Sequence, residues 1–219
     1  MSIGRVPFIP TIIVVAAAAV MVGLGFWQLG RLEEKEALIA QYEANQDQPV
    51  LRGFEAFPNG AGAANIADLD GNLFRTVEVA CETPRNWKGV AGRNAADEAG
   101  YVHMYVCDEF LSDDGAATQL YGTIGWSRSP QQPEWDGGTI TGILSTAGND
   151  YEVLASEPRA DLQPLAKPDP GDLPNNHLAY AGQWFFFALT ALVIYFLALR
   201  RRWRDGEGKD KGRGKGKGN

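Results

Sequence analysis

The side chains best suited to chemistry stand at the ends of two apolar runs that lie about 150 positions apart in the sequence. One is a histidine, whose neutral imidazole can ligate a metal ion, and the rest are aromatic, amide and guanidinium groups. If both runs cross a bilayer, the end of the first run and the start of the second meet at one membrane surface. The six residues are Trp27, Gln28, Arg31, His177, Tyr180 and Trp184.

Two interpretations of this set remain open on the residues alone. A histidine at this position can be an axial ligand to haem iron, with Arg31 facing the propionates and Trp27 and Trp184 flanking the macrocycle. Alternatively, aromatic belts, a snorkelling arginine and an interfacial histidine are ordinary features of membrane helices and need no cofactor. Which interpretation holds therefore depends on the helices that would position these six residues.

Two charge-free runs of 22 residues, 8–29 and 178–199, are long enough to cross a hydrocarbon core of about 30 Å. A cleaved signal peptide is the alternative for the first run, but its apolar character continues past Ala16–Ala19 to Trp27. We therefore predict two transmembrane helices. The short segment before them, residues 1–7, leaves no room for a transit peptide and favours a bacterial protein.

Orientation follows from the basic residues after the second run. Arg200, Arg201, Arg202 and Arg204 favour a cytoplasmic end there, so both termini are predicted in the cytoplasm and residues 30–177 in the periplasm. The predicted location is the bacterial inner membrane. The basic segment 200–219 ends in Gly and Lys repeats and is predicted to be a disordered tail.

The insert, residues 30–177, carries 24 acidic and 10 basic side chains, a net charge of −14. That charge excludes nucleic acid as a partner of the insert, because phosphate binding requires a basic surface. The pattern of its residues predicts a leading helix at 30–45 and strands at 73–83, 101–110, 119–129 and 138–145. Residues 57–72 and 84–100 are predicted loops and turns, and the proline-rich residues 158–174 are predicted to be extended. The predicted fold is a small antiparallel β-rich (α+β) domain on a hairpin of two transmembrane helices.

Cys81 and Cys107 both fall on predicted strands, which leaves three states open: a disulfide, two free buried thiols, or a pair that handles metal. His103 stands alone in the middle of a strand and is predicted to be half-exposed rather than a ligand. The sequence contains no nucleophile elbow, phosphate-binding loop, HExxH or CxxCH motif. We therefore expect no enzyme activity.

Two stretches resemble the signatures of a known family. The residues WQLGRLEEKEALI at 27–39 and NNHLAYAGQWF at 175–185 are similar to the first-span and second-span motifs of the Surf one family of cytochrome c oxidase assembly factors. The resemblance implies a protein that helps build an aa3-type oxidase by binding haem a and delivering it to the catalytic subunit. It implies His177 as the haem ligand, and it suggests haem a synthase as a further partner beside the lipid bilayer.

Two other functions stay open at this point. The chain can be a scaffolding partner of the oxidase or of a respiratory supercomplex that carries no cofactor of its own, with the aromatic edges as interface. A periplasmic sensor domain on a membrane hairpin is the third hypothesis, and it requires a ligand pocket that the sequence does not reveal.

Overall fold

The computed structural model describes residues 6–52, 66–111 and 117–213. These residues divide into two compact units: Met1–Ala37 with Pro174–Asn219, which holds a pair of helices, and Leu38–Leu173, which holds a β-sheet. The elements in chain order are helix α1 (Phe8–Gln46), strand β1 (Leu51–Arg52), helix α2 (Ile66–Gly71), strands β2 (Thr76–Cys81), β3 (Arg85–Arg93), β4 (Ala99–Leu111), β5 (Ala117–Ser127), β6 (Gly138–Ala147) and β7 (Asp150–Ala155), a 3₁₀ turn (Pro170–Asp172) and helix α3 (His177–Arg213).

Helices α1 and α3 are both long and apolar enough to cross a membrane, by length and composition. The predicted first span and the predicted leading helix 30–45 form one continuous helix. Pro10 lies in the first turn of this helix, where proline is tolerated, and no later Pro interrupts it before Gln46. Helix α3 continues to Arg213, so the structure is helical over much of the stretch predicted to be a disordered tail. Residues 1–5 and 214–219 of the predicted termini lie outside the described residues.

The two helices run antiparallel, since Thr11 near the start of α1 hydrogen-bonds Tyr195 late in α3, while Gln28 bonds His177 at the start of α3. Small residues line the seam between them. Their spacing of seven within each helix is the repeat that keeps one stripe facing a partner helix. The buried small residues of the seam are Ala18, Gly25, Ala181 and Ala188.

The sheet unit is a seven-stranded sheet in the order β1-β2-β6-β7-β5-β4-β3. Strand β7 lies between β6 and β5, antiparallel to β6 and parallel to β5. Strand β1 is also parallel to β2. The prediction of an antiparallel domain is therefore wrong in this respect: the sheet is mixed, because β7 turns back tightly from β6 and inserts beside β5.

One face of the sheet carries the main core. The last turns of α1 cover it with Leu38 and Tyr42, whose ring lies 5.0 Å from that of Phe74. Asn45 Nδ2 donates to the carbonyl oxygens of Gly71 and Leu73, both at 2.9 Å, so the end of α1 is tied to the turn after α2. These contacts explain why the leading helix persists beyond the apolar run: its final turns are part of the domain core.

A disulfide joins Cys81 on β2 to Cys107 on β4, with a Cα–Cα distance of 4.7 Å. Three strands separate β2 from β4 in the sheet order, so in a flat sheet the two cysteines would be about 19 Å apart. The sheet must therefore curl until β2 approaches β4. Gly122 makes room for the bond, because a Cβ there would lie 2.6 Å from Cys107 Sγ.

Candidate functional site

The contact that brings the two predicted edges together is a hydrogen bond between His177 Nδ1 and Gln28 Oε1, 2.8 Å long. The two residues are 149 positions apart in the sequence, and both side chains are half-buried. No hydrogen bond of His177 Nε2 is found among the residues that the structure describes. The imidazole thus has one nitrogen occupied by the neighbouring helix and one available to a ligand.

Local sequence explains why the histidine stands there. Residues 174–176, which follow the 3₁₀ turn, are not helical, and α3 starts at His177, with the Tyr180 amide donating to Asn176 O as the first helical bond. On α1, Gln28 is three residues, nearly one turn, past the buried Gly25, so it continues the seam. A Cβ at Gly25 would lie 2.5 Å from Phe185 Cε1, which shows how closely the helices approach next to the site.

Arg31 lies on the next turn after Gln28 and pairs with Glu34 on its own helix. Both side chains are more than half exposed, so this ion pair contributes little stability and an anionic ligand can compete for the guanidinium. Arg31 therefore lies within α1, and its intrahelical partner Glu34 was not part of the prediction.

The predicted aromatic residues divide into two groups. Trp184 is half-buried and follows His177 by seven residues, so it lies on the same side of α3; its ring is 6.3 Å from that of Phe187. Trp27 and Tyr180 are exposed, at 58% and 51%. Trp27 precedes Gln28 by one position and therefore projects about 100° around the helix from it. The structure aligns Trp184 with His177 and leaves Trp27 and Tyr180 on the outer surface.

Sequence reasoning missed two features of this edge. The close seam has a signal in the sequence, namely the seven-residue spacing of Ala18 with Gly25 and of Ala181 with Ala188. Asn175, two residues before His177, has a buried Oδ1 without a hydrogen-bond partner among the described residues. A buried acceptor without a hydrogen-bond partner is energetically costly.

The second histidine, His103, is buried rather than half-exposed as predicted. Its Nε2 lies 2.8 Å from Ser127 Oγ, and its ring stacks on Trp87 at 6.0 Å between centroids. Burial lowers the pKa of His103, an effect that the backbone oxygen of Ser129 partly offsets. It sits on the core face of β4 because Val102 and Met104, its neighbours, point to the other face. His103 is therefore a packed core residue.

The other face of the sheet has a groove of about 430 Å³ beside strand β3. Val90, Val102 and Met104 form apolar walls, and Asp150 and Glu152 are acidic groups that line it. Burial raises the pKa of Glu152, although the hydroxyl of Thr123 donates to its carboxylate at 2.6 Å and acts in the opposite direction. Within the described residues no group of three His, Cys, Asp or Glu side chains is arranged to hold a metal ion.

Taken together, the fold and the site define a class of protein with two long apolar helices, one mixed β domain and a histidine-centred polar edge between the helices. The model of the SURF1 family matches residues 15–189, which is most of the chain, and the chain belongs to that family. Comparison with individual curated proteins gives no match.

Family membership supports a role in cytochrome c oxidase assembly and thus confirms the resemblance seen in the two edge motifs. Members of the family are assembly factors rather than catalysts. The matched range includes both Gln28 and His177, so the hydrogen bond between the helices lies inside the family region.

Proposed function

We propose that this protein binds haem a at the outer edge of the bacterial inner membrane and delivers it to the catalytic subunit of an aa3-type cytochrome c oxidase. The observation that carries the proposal is the imidazole of His177: one nitrogen is held by Gln28, and Nε2 has no partner in the described part of the chain. A histidine nitrogen of this kind is a common axial ligand of haem iron.

The remaining predicted residues fit the chemistry of the cargo. Arg31 supplies a guanidinium for a propionate, since its exposed pair with Glu34 is easily exchanged. Trp184 offers an aromatic face on the same side of α3 as His177, and Trp27 and Tyr180 add aromatic surface at the edge. The apolar outer surfaces of α1 and α3 suit the farnesyl chain of haem a as they suit lipid.

Both helices cross the membrane in this proposal, with Arg200, Arg201, Arg202 and Arg204 in the cytoplasm and the sheet domain in the periplasm. Delivery requires moderate affinity, because the oxidase must take the haem. A single histidine ligand at a half-exposed edge meets that requirement better than a closed pocket would. In this proposal the protein receives haem a from haem a synthase and passes it to the catalytic subunit of the oxidase.

The test is the visible spectrum of the protein purified from cells that also make haem a. We expect a haem a band in the parent that is lost or shifted in His177→Ala. The matched control is His103→Phe. It removes the second of the chain's two histidines, which lies in the sheet domain, and should keep the haem band. A colourless parent that is folded and still bound to oxidase subunits would contradict haem delivery and favour the scaffolding function.

A further inference from the structure

We propose that Gln28 is the positioning residue of this site: its side-chain oxygen holds the imidazole proton of His177 on Nδ1 and thereby leaves the Nε2 lone pair for the iron. That the free nitrogen serves to bind iron rests on the proposed haem binding. The position of the proton itself follows from the hydrogen bond between the two helices. No other role is assigned to Gln28 than this orientation of the ligand.

The donor and acceptor capacity of the two side chains determines where the imidazole proton lies. An amide oxygen only accepts hydrogen bonds, so the 2.8 Å contact between Gln28 Oε1 and His177 Nδ1 requires a proton on Nδ1. A neutral imidazole carries one N–H proton, and its other nitrogen then has a free lone pair. A metal binds that lone pair, and histidine ligands generally donate their second N–H to an acceptor of this kind.

The second step concerns rigidity. Gln28 and His177 belong to different helices, so their hydrogen bond exists only while α1 and α3 stay in register. The close approach of Gly25 to the Phe185 ring and the T-shaped contact of Phe26 with Phe185, 5.5 Å between centroids, fix that register nearby. The ring of His177 is therefore oriented by the packing of the helix pair and not by its own rotamer preference alone.

The chain offers a direct measurement, since it contains two histidines. The full-length protein, labelled with ¹⁵N-histidine and placed in lipid nanodiscs without haem, gives ring nitrogen shifts that report which nitrogen is protonated. The His177→Ala variant assigns the signals. In the parent we expect His177 as the Nδ1–H form, and in Gln28→Leu a shift toward the Nε2–H form that an unconstrained histidine side chain prefers.

Two further variants separate positioning from packing. Gln28→Glu retains a side-chain acceptor and should restore the Nδ1–H form, whereas Gln183→Leu removes an exposed amide of α3 and should leave the shifts unchanged. Titrated with haem a, Gln28→Leu should bind about 10-fold to 100-fold more weakly than the parent, and Gln28→Glu should bind close to it.

The outcomes keep the inference apart from the proposed function. If the parent has its proton on Nε2, or if Gln28→Leu leaves the shifts of His177 unchanged, the role of Gln28 is wrong whatever happens with haem. If the shifts change as expected but the parent binds no haem a, the haem proposal fails and the Gln28 contact remains. Weaker haem binding with equal loss in Gln183→Leu would point to general damage and would overturn the inference.

Discussion

The helix pair and the sheet domain place their polar and apolar groups in opposite ways. In the sheet domain the large apolar side chains are inside, including Trp126 and Leu120, and a disulfide crosses the core. In the helix pair many large apolar side chains point outward, such as Phe8 at 76% and Phe186 at 63%, while small residues fill the seam. The sheet domain therefore gains stability from burial of its own apolar surface, and the helix pair has an apolar exterior suited to lipid.

This difference shows where function is expected. In the sheet domain, Asn45 donates to two backbone carbonyl oxygens and so holds the fold together. The polar contact between His177 and Gln28 satisfies no backbone group, and one imidazole nitrogen stays available among the described residues. A change in the sheet should consequently alter stability, whereas a change at the helix edge should alter ligand binding.

The largest effect on this comparison should come from the disulfide. Replacing Cys81 and Cys107 together by Ala releases a 26-residue loop, which costs about 3.5 kcal/mol in the chain-entropy account of cross-links. We expect a large drop in the denaturant midpoint of unfolding, measured by tryptophan fluorescence. The haem a spectrum under native conditions should remain, because both cysteines belong to the sheet domain.

The control for this variant is the parent treated with a reductant, which should lose the same stability, while the double variant should not respond to the reductant. Loss of the haem band in a double variant that is still folded would contradict the separation of the two regions.

A smaller effect should follow from overfilling the seam of the helix pair. In Gly25→Leu the new side chain meets the Phe185 ring, and we expect a cost of about 2 kcal/mol to the packing of α1 on α3. The ¹⁵N shifts of His177 should change as its contact with Gln28 is disturbed. The matched control is Gly30→Leu on the same helix, where a Cβ meets nothing within 4 Å. Equal shifts in both variants would show that the seam does not hold the site.

Much of the architecture could be predicted because its signals are local. Charge-free runs predicted both long helices, alternation predicted β2 and β4, and β5 and β6 were also predicted close to their observed bounds. Strand β3 was predicted as a turn because it is an edge strand whose side chains are mostly exposed, with Arg85, Lys88 and Arg93 and a bulge near Asn86. Such a strand has no alternation to detect.

The sheet order could not be predicted, because it depends on contacts between distant residues. The residues of β7 do not indicate that the strand inserts between β6 and β5. The strand itself could have been identified, because its buried residues Tyr151, Val153 and Ala155 alternate with less buried ones. At the candidate site, the two edge motifs contain Gln28 and His177, which the structure joins by a hydrogen bond. The partner of His177 Nδ1 was not predictable, since it depends on the register of two helices 149 positions apart.

The smallest effect concerns pH and should be confined to the sheet domain. Burial lowers the pKa of His103 below its ordinary value of 6.5, so the unfolded chain takes up a proton before the folded chain does. Stability should therefore be complete above about pH 6.5 and decline as the pH falls from there toward the lowered pKa. His103→Phe keeps an aromatic ring against Trp87 but cannot titrate, so its stability should vary less over this range.

Denaturant midpoints at about pH 7.5 and about pH 5.5 measure the difference, and His177→Ala should keep the parent's pH dependence because that histidine lies in the other unit. A slope that disappears in His177→Ala and persists in His103→Phe would assign the pH sensitivity to the helix pair and reverse the comparison.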